Sequence, residues 1–351
     1  MIGSRRNPAA RSFERPQAAQ QAGAVPALSI WLALFALYVI WGSTYLAIRV
    51  ADRTIPPFLM GGVRFLIAGG LMYGWAIRRG DRQGDRPTGR QWLAATVIGG
   101  FLLLGGNGAV VWAEQHNPSG ITALLIATVP LWLALLDRVV FGKRLPALAV
   151  VGLVIGFAGV ILLVGGKSAG RFHVAEVIVT LIGALMWAVG SLYARRAKLP
   201  SRPLVGTGME MIAGGALLAL AGVVTGELGK VHISHISGES FLGLLYLIVF
   251  GSWIGFSSYV WLLRVAPVSL VGTYAYVNPV VAVLLGWAIL SEAVSGRTIL
   301  AGAIIVIGVA LIILARPGSS GDPADGSPDS QTLLRGLRAR LPGSRAPADE
   351  G

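Results

Sequence analysis

Residues 112–130 read WAEQHNPSGITALLIATVP, and residues 261–279 read WLLRVAPVSLVGTYAYVNP. A constant shift of 149 places Trp112 on Trp261, Pro118 on Pro267 and Pro130 on Pro279. Continued without a gap to Val164 and Ile313, the same shift places Gly159 on Gly308. Identity between these landmarks is low, so what recurs is the set of residues that start helices, kink them or let them approach. Upstream, a shift near 146 sets Trp41 on Trp187 and Arg49 on Arg195, and aligns Ile67-Ala68-Gly69-Gly70 with Ile212-Ala213-Gly214-Gly215. One structural unit is written twice.

Each copy holds five apolar stretches of roughly 20 residues, enough to cross a hydrocarbon core about 30 Å thick. The expected spans are 29–49, 57–77, 91–113, 118–137, 146–165, 174–194, 203–224, 241–263, 267–290 and 297–315. Several open on a proline (Pro57, Pro118, Pro146, Pro203, Pro267), whose missing N–H costs nothing in a first helical turn. Composition agrees: 13% of residues are charged and 54% hydrophobic, against about 25% charged in soluble proteins. The 48 glycines suit tightly packed membrane helices. The expected fold is therefore an all-α polytopic membrane protein of ten transmembrane helices. Because five is odd, the two repeats enter the bilayer in opposite senses, an inverted-topology architecture common in secondary transporters. The expected organisation is a disordered cytoplasmic tail (1–27), a first repeat (28–166), a second repeat (172–315) and a second disordered cytoplasmic tail (316–351).

The net charge of +13 is placed as an orientation signal. With the N-terminus inside, cytoplasmic segments carry Arg78, Arg79, Arg82, Arg86 and Arg90, then Arg138, Lys143 and Arg144, then Arg195, Arg196, Lys198, Arg202 and Arg264. The opposite side keeps Arg53, Lys167, Arg171, Lys230 and Arg297. Both termini are expected in the cytoplasm, and a nucleic-acid partner is not. No apolar segment with a cleavage site precedes Leu28, so the first span is expected to be the insertion signal. Within the C-terminal tail, residues 333–341 have the pattern of a short basic amphipathic helix, although a solvated tail is the simpler expectation. With no cysteine in the chain, disulfides and thiolate chemistry are excluded.

Further motifs carry a family resemblance. Trp41-Gly42-Ser43-Thr44-Tyr45, then Pro56-Pro57 and Arg64-Phe65-Leu66-Ile67-Ala68, resemble the opening of an EamA domain, the five-helix repeat of the drug/metabolite transporter superfamily. Pro130, the run Tyr276-Val277-Asn278-Pro279, the Ser291-Glu292 turn and the glycine-rich last span extend the likeness over residues 29–315, in the manner of the YedA-type exporters. The first repeat departs from the pattern at Gly142-Lys143-Arg144, where the second has Ser291-Glu292-Ala293; inverted topology accounts for this, since the two turns face opposite sides. The resemblance implies proton-linked or exchange-type export of amino acids, metabolites or xenobiotics across the inner membrane, with no cofactor.

Candidate transport residues are those that apolar helices carry at a cost. Arg64 lies about 10 Å into its span, where an unpartnered charge costs at least about 2.5–3.5 kcal/mol. Glu210 lies equally deep, from the other face, at nearly the repeat-equivalent position. Both are expected at a central cavity, Arg64 for anionic substrate groups and Glu210 as a proton or cation site; a fixed ion pair linking helices, or snorkelling, is the competing role. Pro130 and Pro279 are expected as kinks, each freeing a carbonyl four residues back. Asn107 and Asn278 are deep amides that contact either substrate or a neighbouring helix. Trp41, Trp132, Trp187 and Trp253, with Tyr45, Tyr274 and Tyr276, fall near mid-depth and are candidates for an aromatic cavity, against plain packing. The stripe Gly152-Gly156-Gly159 and the pair Gly302/Gly308 read as close-packing faces, within the fold or across a homodimer. No metal site is expected, His232 and His235 being unaccompanied by further ligands.

A membrane-embedded enzyme is the rival class, but Gly255-Phe256-Ser257-Ser258-Tyr259 is no nucleophile elbow and no histidine lies mid-span to act as base. A pump would need a nucleotide-binding loop, and no Walker A pattern is present. A lipid or sugar-conjugate flippase stays open within the transporter class. The expected partners are a small-molecule substrate, the lipid bilayer and protons.

Overall fold

The computed structural model describes residues 26–79, 86–142, 144–164, 174–266 and 268–315. The expectations for the two tails, and the contrast at Lys143, lie outside these residues. The described chain is helical, in ten apolar segments: α1 (Ala27–Ala51), α2 (Pro57–Arg78), α3 (Gly89–Ala113), α4 (Ser119–Val139), α5 (Ala147–Val164), α6 (Val174–Ala194), α7 (Pro203–Val224), α8 (Gly238–Val265), α9 (Tyr274–Leu290) and α10 (Gly296–Ala315). Among the described residues nine helices are long and apolar enough to cross a membrane, and α9 is the shorter tenth. A helical turn, Val268–Val271, precedes α9, so the span expected at 267–290 is broken rather than continuous.

Local chemistry sets the starts. Pro57 and Pro203 occupy the first helical positions of α2 and α7. Thr88 and Gln91 form a capping box at α3, and Ser237 caps α8 by accepting from Ser240 N–H.

Glycine-lined crossings between the repeats give the fold its symmetry. A side chain added at Gly62 would strike Ala219, and one added at Gly208 would strike Tyr73. Gly69 likewise abuts Met211, and Gly215 abuts Phe65. Shifting either contact by the repeat offset produces its partner, and rising numbers on α2 meet falling numbers on α7. α5 and α10 repeat the pattern, with Gly159 against Ile305 and Gly308 against Gly156. Equivalent helices therefore pack antiparallel about a twofold axis lying across them, which is the geometry of inverted repeats. The stripe Gly152-Gly156-Gly159 is occupied within the fold, against Gly308, Leu131 and Ile305. Gly302 is likewise filled by Leu124.

Two further features recur in both halves. α3 loosens into a π-helix over Gly100–Asn107, and α8 does so over Leu247–Ile254. The chain after α4 and α9 turns through left-handed residues at equivalent positions, Gly142 (φ 64°) and Ser291 (φ 54°).

Candidate functional site

The connections after α1, α3, α7 and α9 gather on one face, and most described acids gather with them. Glu227 accepts from the N–H groups of Phe58 and Leu59, at 3.3 and 2.9 Å, and so caps α2. Glu292 accepts from Ser119 N–H and Oγ, both at 2.9 Å, and caps α4. Each places a negative charge at the positive end of a helix. Glu239 pairs with Arg53 at 3.1 Å, and Glu176 with His116 at 3.3 Å. The opposite face carries the basic termini: Arg78 and Arg79 of α2, Arg138 of α4, Arg195, Arg196 and Arg202 between α6 and α7, and Arg264 of α8.

On the acidic face a cavity of about 540 Å³ is lined by Arg49, Asp52, Arg53, Glu114, Gln115, His116, Leu290 and Glu292. Arg49 donates to the backbone carbonyl of Glu114. The carboxylates of Glu114 and Asp52 are buried and have no hydrogen-bond partner among the described residues. Burial raises the Glu114 carboxyl well above the usual range, helped by Asp52 and Glu292 and opposed by Arg49 and Arg64. Burial, then Glu227, raises that of Asp52, against Arg49.

Deeper in, Arg64 is buried at 3% exposure. Its Nε donates to Ser252 Oγ at 2.8 Å, and its guanidinium lies over the Phe65 ring, 4.6 Å from the centroid. Ser252 belongs to the π stretch of α8, and neighbouring Gly251 is pressed between Thr44 and Arg64. Such π stretches are frequent at functional sites; here the Gly251 carbonyl accepts from the Trp41 indole at 3.2 Å. Trp41 sits in an aromatic cluster with Phe256, Tyr259 and Tyr274, ring centroids 5.1–5.2 Å away. Tyr259 is within electrostatic reach of Glu210 and Arg195. Glu210 itself is half-buried, with its backbone carbonyl against Gly99 beside the π stretch of α3. A file of charged, hydroxyl and aromatic groups thus runs from the acidic-face cavity through Arg64 and Trp41 to Glu210 near the basic face.

The file joins Trp41, Arg64, Glu210 and Tyr274 of the sequence-expected residues. Tyr45 packs nearby against the α1–α3–α8 core and lies within electrostatic reach of Glu114. Trp132 pairs instead with Phe157 at 5.3 Å, between α4 and α5, its indole N–H buried without an acceptor among the described residues. Trp187 fills the notch at Gly106, next to Asn107. Trp253 is 36% exposed on the outside of α8. Tyr276 packs partly buried against the α4–α5–α10 core. Asn278 is buried, with its amide nitrogen placed to donate to the carbonyls of Tyr38 and Tyr274 at 3.3 Å, which ties α9 to α1.

The two prolines behave differently. α4 is broken at Ala127–Thr128, and Pro130 sits in the first turn of the second piece, where it needs no donor partner. Pro279 lies inside α9, and the break falls earlier, at Gly272–Thr273. At each break a threonine hydroxyl donates to the carbonyl three residues back: Thr128 to Leu125 and Thr273 to Leu270, both at 2.6 Å. The hydroxyls of Tyr38 and Thr273 are also hydrogen-bonded, joining α1 to the α9 break.

Sequence reasoning did not single out Asp52, Glu114, Ser252 or Tyr259. The two acids lie just beyond the expected spans, three residues after 29–49 and one after 91–113, where charge is ordinary, and serine or tyrosine in a membrane helix carries no alarm.

Ten helices in two inverted repeats, with buried charges strung between the faces, define a membrane transporter of the inverted-repeat class. The sequence matches the EamA-like transporter family model twice, over residues 28–165 and 174–314. The chain belongs to that family. It is 43% identical over 291 residues to the uncharacterised inner membrane transporter YedA of Escherichia coli K12, spanning 82% of this chain and 92% of the relative. It is 26% identical over 289 residues to a probable amino-acid metabolite efflux pump of Salmonella typhimurium, spanning 77% of this chain and 89% of that one. A solved structure, described only as the crystal structure of a protein, superposes with a TM-score of 0.57 at 26% identity, covering 82% of this chain and 97% of its own.

Proposed function

We propose that the chain is a secondary transporter that exports small organic solutes, amino-acid metabolites or drugs, by alternating access of its two repeats. The observation that carries this reading is the file from the Asp52–Glu114 cavity through Arg64 and Trp41 to Glu210. A buried charge inside a membrane helix persists only where it has work or a partner. Arg64 is held ready by Ser252, in position to meet an anionic group, and Glu210 stands at the repeat-equivalent site as a cation or proton acceptor. The efflux-pump relative supports solutes of amino-acid size. Basic residues on the α2–α3, α4–α5 and α6–α7 connections favour a cytoplasmic position for that face and for both termini.

The test is flux in proteoliposomes under an imposed pH gradient, with radiolabelled amino acids and cationic dyes as solutes. Wild-type protein is expected to move a subset of them. Arg64→Gln and Glu210→Gln, with thermal unfolding unchanged, are each expected to cut that flux about tenfold or more, the scale of one lost charge-assisted contact. Gradient-independent scrambling of a lipid with no solute flux would replace export by a flippase.

A further inference from the structure

The acidic-face cavity has a chemical preference of its own. Its basic groups are committed: Arg49 to the Glu114 carbonyl, Arg53 to Glu239 and His116 to Glu176. Glu292 is committed to the start of α4. The carboxylates of Glu114, fully buried, and of Asp52 have no hydrogen-bond partner among the described residues. Buried carboxylates are normally hydrogen-bonded, so two orphans lining one cavity mark a place where something else supplies the contact. The neighbouring amide of Asn117 is also buried and has no hydrogen-bond partner among the described residues. No three His, Asp or Glu converge as metal ligands among the described residues, and a cavity of about 540 Å³ has room for an organic cation rather than a bare ion.

We propose that Asp52 and Glu114 form a proton-exchangeable site for a small primary ammonium ion, which enters as a proton bound there leaves. The step balances in charge: the protonated pair plus RNH3+ gives the ion-paired ammonium plus one proton released to solvent. The acidic neighbours favour such an exchange, and the arginines, committed elsewhere, oppose it. Around Glu114 stand Arg49, Tyr45 and Asp52 from α1 and its end, Arg64 from α2, and Glu292 from the α9–α10 turn. Around Asp52 stand Arg49, Glu114 and Glu227. Burial raises both carboxyls by penalising their charged forms, and a bound cation relieves that penalty. The proposal deepens the export reading, since it names cationic amines as the solute class engaged on the acidic face.

The experiment uses the full chain in detergent, n-butylammonium as probe and n-butyrate as a control of equal size. Proton release is followed with a pH indicator in weak buffer. Wild-type protein is expected to release about one proton per ammonium bound, with affinity rising about tenfold per pH unit below the site's titration. Butyrate is expected to release none. Asp52→Asn and Glu114→Gln should abolish the release while unfolding at unchanged temperature or higher. Equal release by butyrate, no release in wild type, or full release in both variants overturns the site. Flux of neutral or anionic solutes alongside a silent cavity leaves the export reading standing without this site. Proton release on amine binding with no flux of any solute leaves the site and removes export.

Discussion

Glu114 and Asp52 pay for their burial in a way that depends on pH. Each carboxyl is raised in the folded protein above its value in an open chain, Glu114 by burial first and then by Asp52 and Glu292. The folded state therefore binds more protons than the unfolded state over the interval between the two values, and stability falls as pH rises through it. In scanning fluorimetry the protein is expected to melt several degrees lower at pH 8 than at pH 5. Glu114→Gln should flatten that slope and stand above wild type at pH 8; a slope unchanged by the substitution would show that the carboxyl is solvated in the fold. At this scale the sequence was legible where charge interrupts an apolar run, as at Arg64 and Glu210. It was silent at Glu114, because burial of that residue is created by loops arriving from α1, α9 and α10, and no local pattern encodes their arrival.

Among the elements, the ends of α2 and α4 are controlled from a distance. Glu227 and Glu292 reach across from other connections to satisfy N–H groups that no side chain of the first turns accepts. Ser291 makes this possible at α4: its left-handed backbone turns the chain so that Glu292 points back toward Ser119. Glu292→Gln is expected to cost about 1–3 kcal/mol by losing charge-assisted hydrogen bonds. Hydrogen exchange should speed at Ser119 and Gly120 more than at the start of α7, where no side-chain cap is made among the described residues. Equal protection in the variant would reassign the carboxylate to a surface role. The Ser291-Glu292 pair was visible in the sequence as a turn, but its target was not, since Ser119 is 173 positions away. The prolines announced irregular helices at α4 and α9, yet the breaks fall at Thr128 and Thr273, where a hydroxyl competes for the i−3 carbonyl. The two π stretches had no signature beyond glycine content.

For the molecule as a whole, ten apolar stretches foresaw the helices, the doubled pattern of tryptophan, proline and glycine divided them into two repeats, and the odd number in each made the halves inverted. The contact pairs Gly62–Ala219 and Gly208–Tyr73 are that duplication seen in space. Orientation in the bilayer rests on the basic connections, and the absence of cysteine makes it simple to test. A single cysteine at Thr54 is expected to react with an impermeant maleimide added to intact cells, and one at Lys198 only after permeabilisation. The reverse pattern would turn the acidic cavity toward the cytoplasm.

The crossings that carry the symmetry also set the order of biogenesis. α2 finds its counterpart α7 only after some 146 further residues have left the ribosome, and α5 waits as long for α10. At ordinary synthesis rates that interval is on the order of ten seconds. During it the newborn first half lies in lipid with its glycine grooves unfilled, and with the cap of α4 still unmade. The nascent half-molecule is then a client for whatever shelters unfinished membrane helices, and a truncated chain ending near Val164 should be cleared by proteolysis rather than persist.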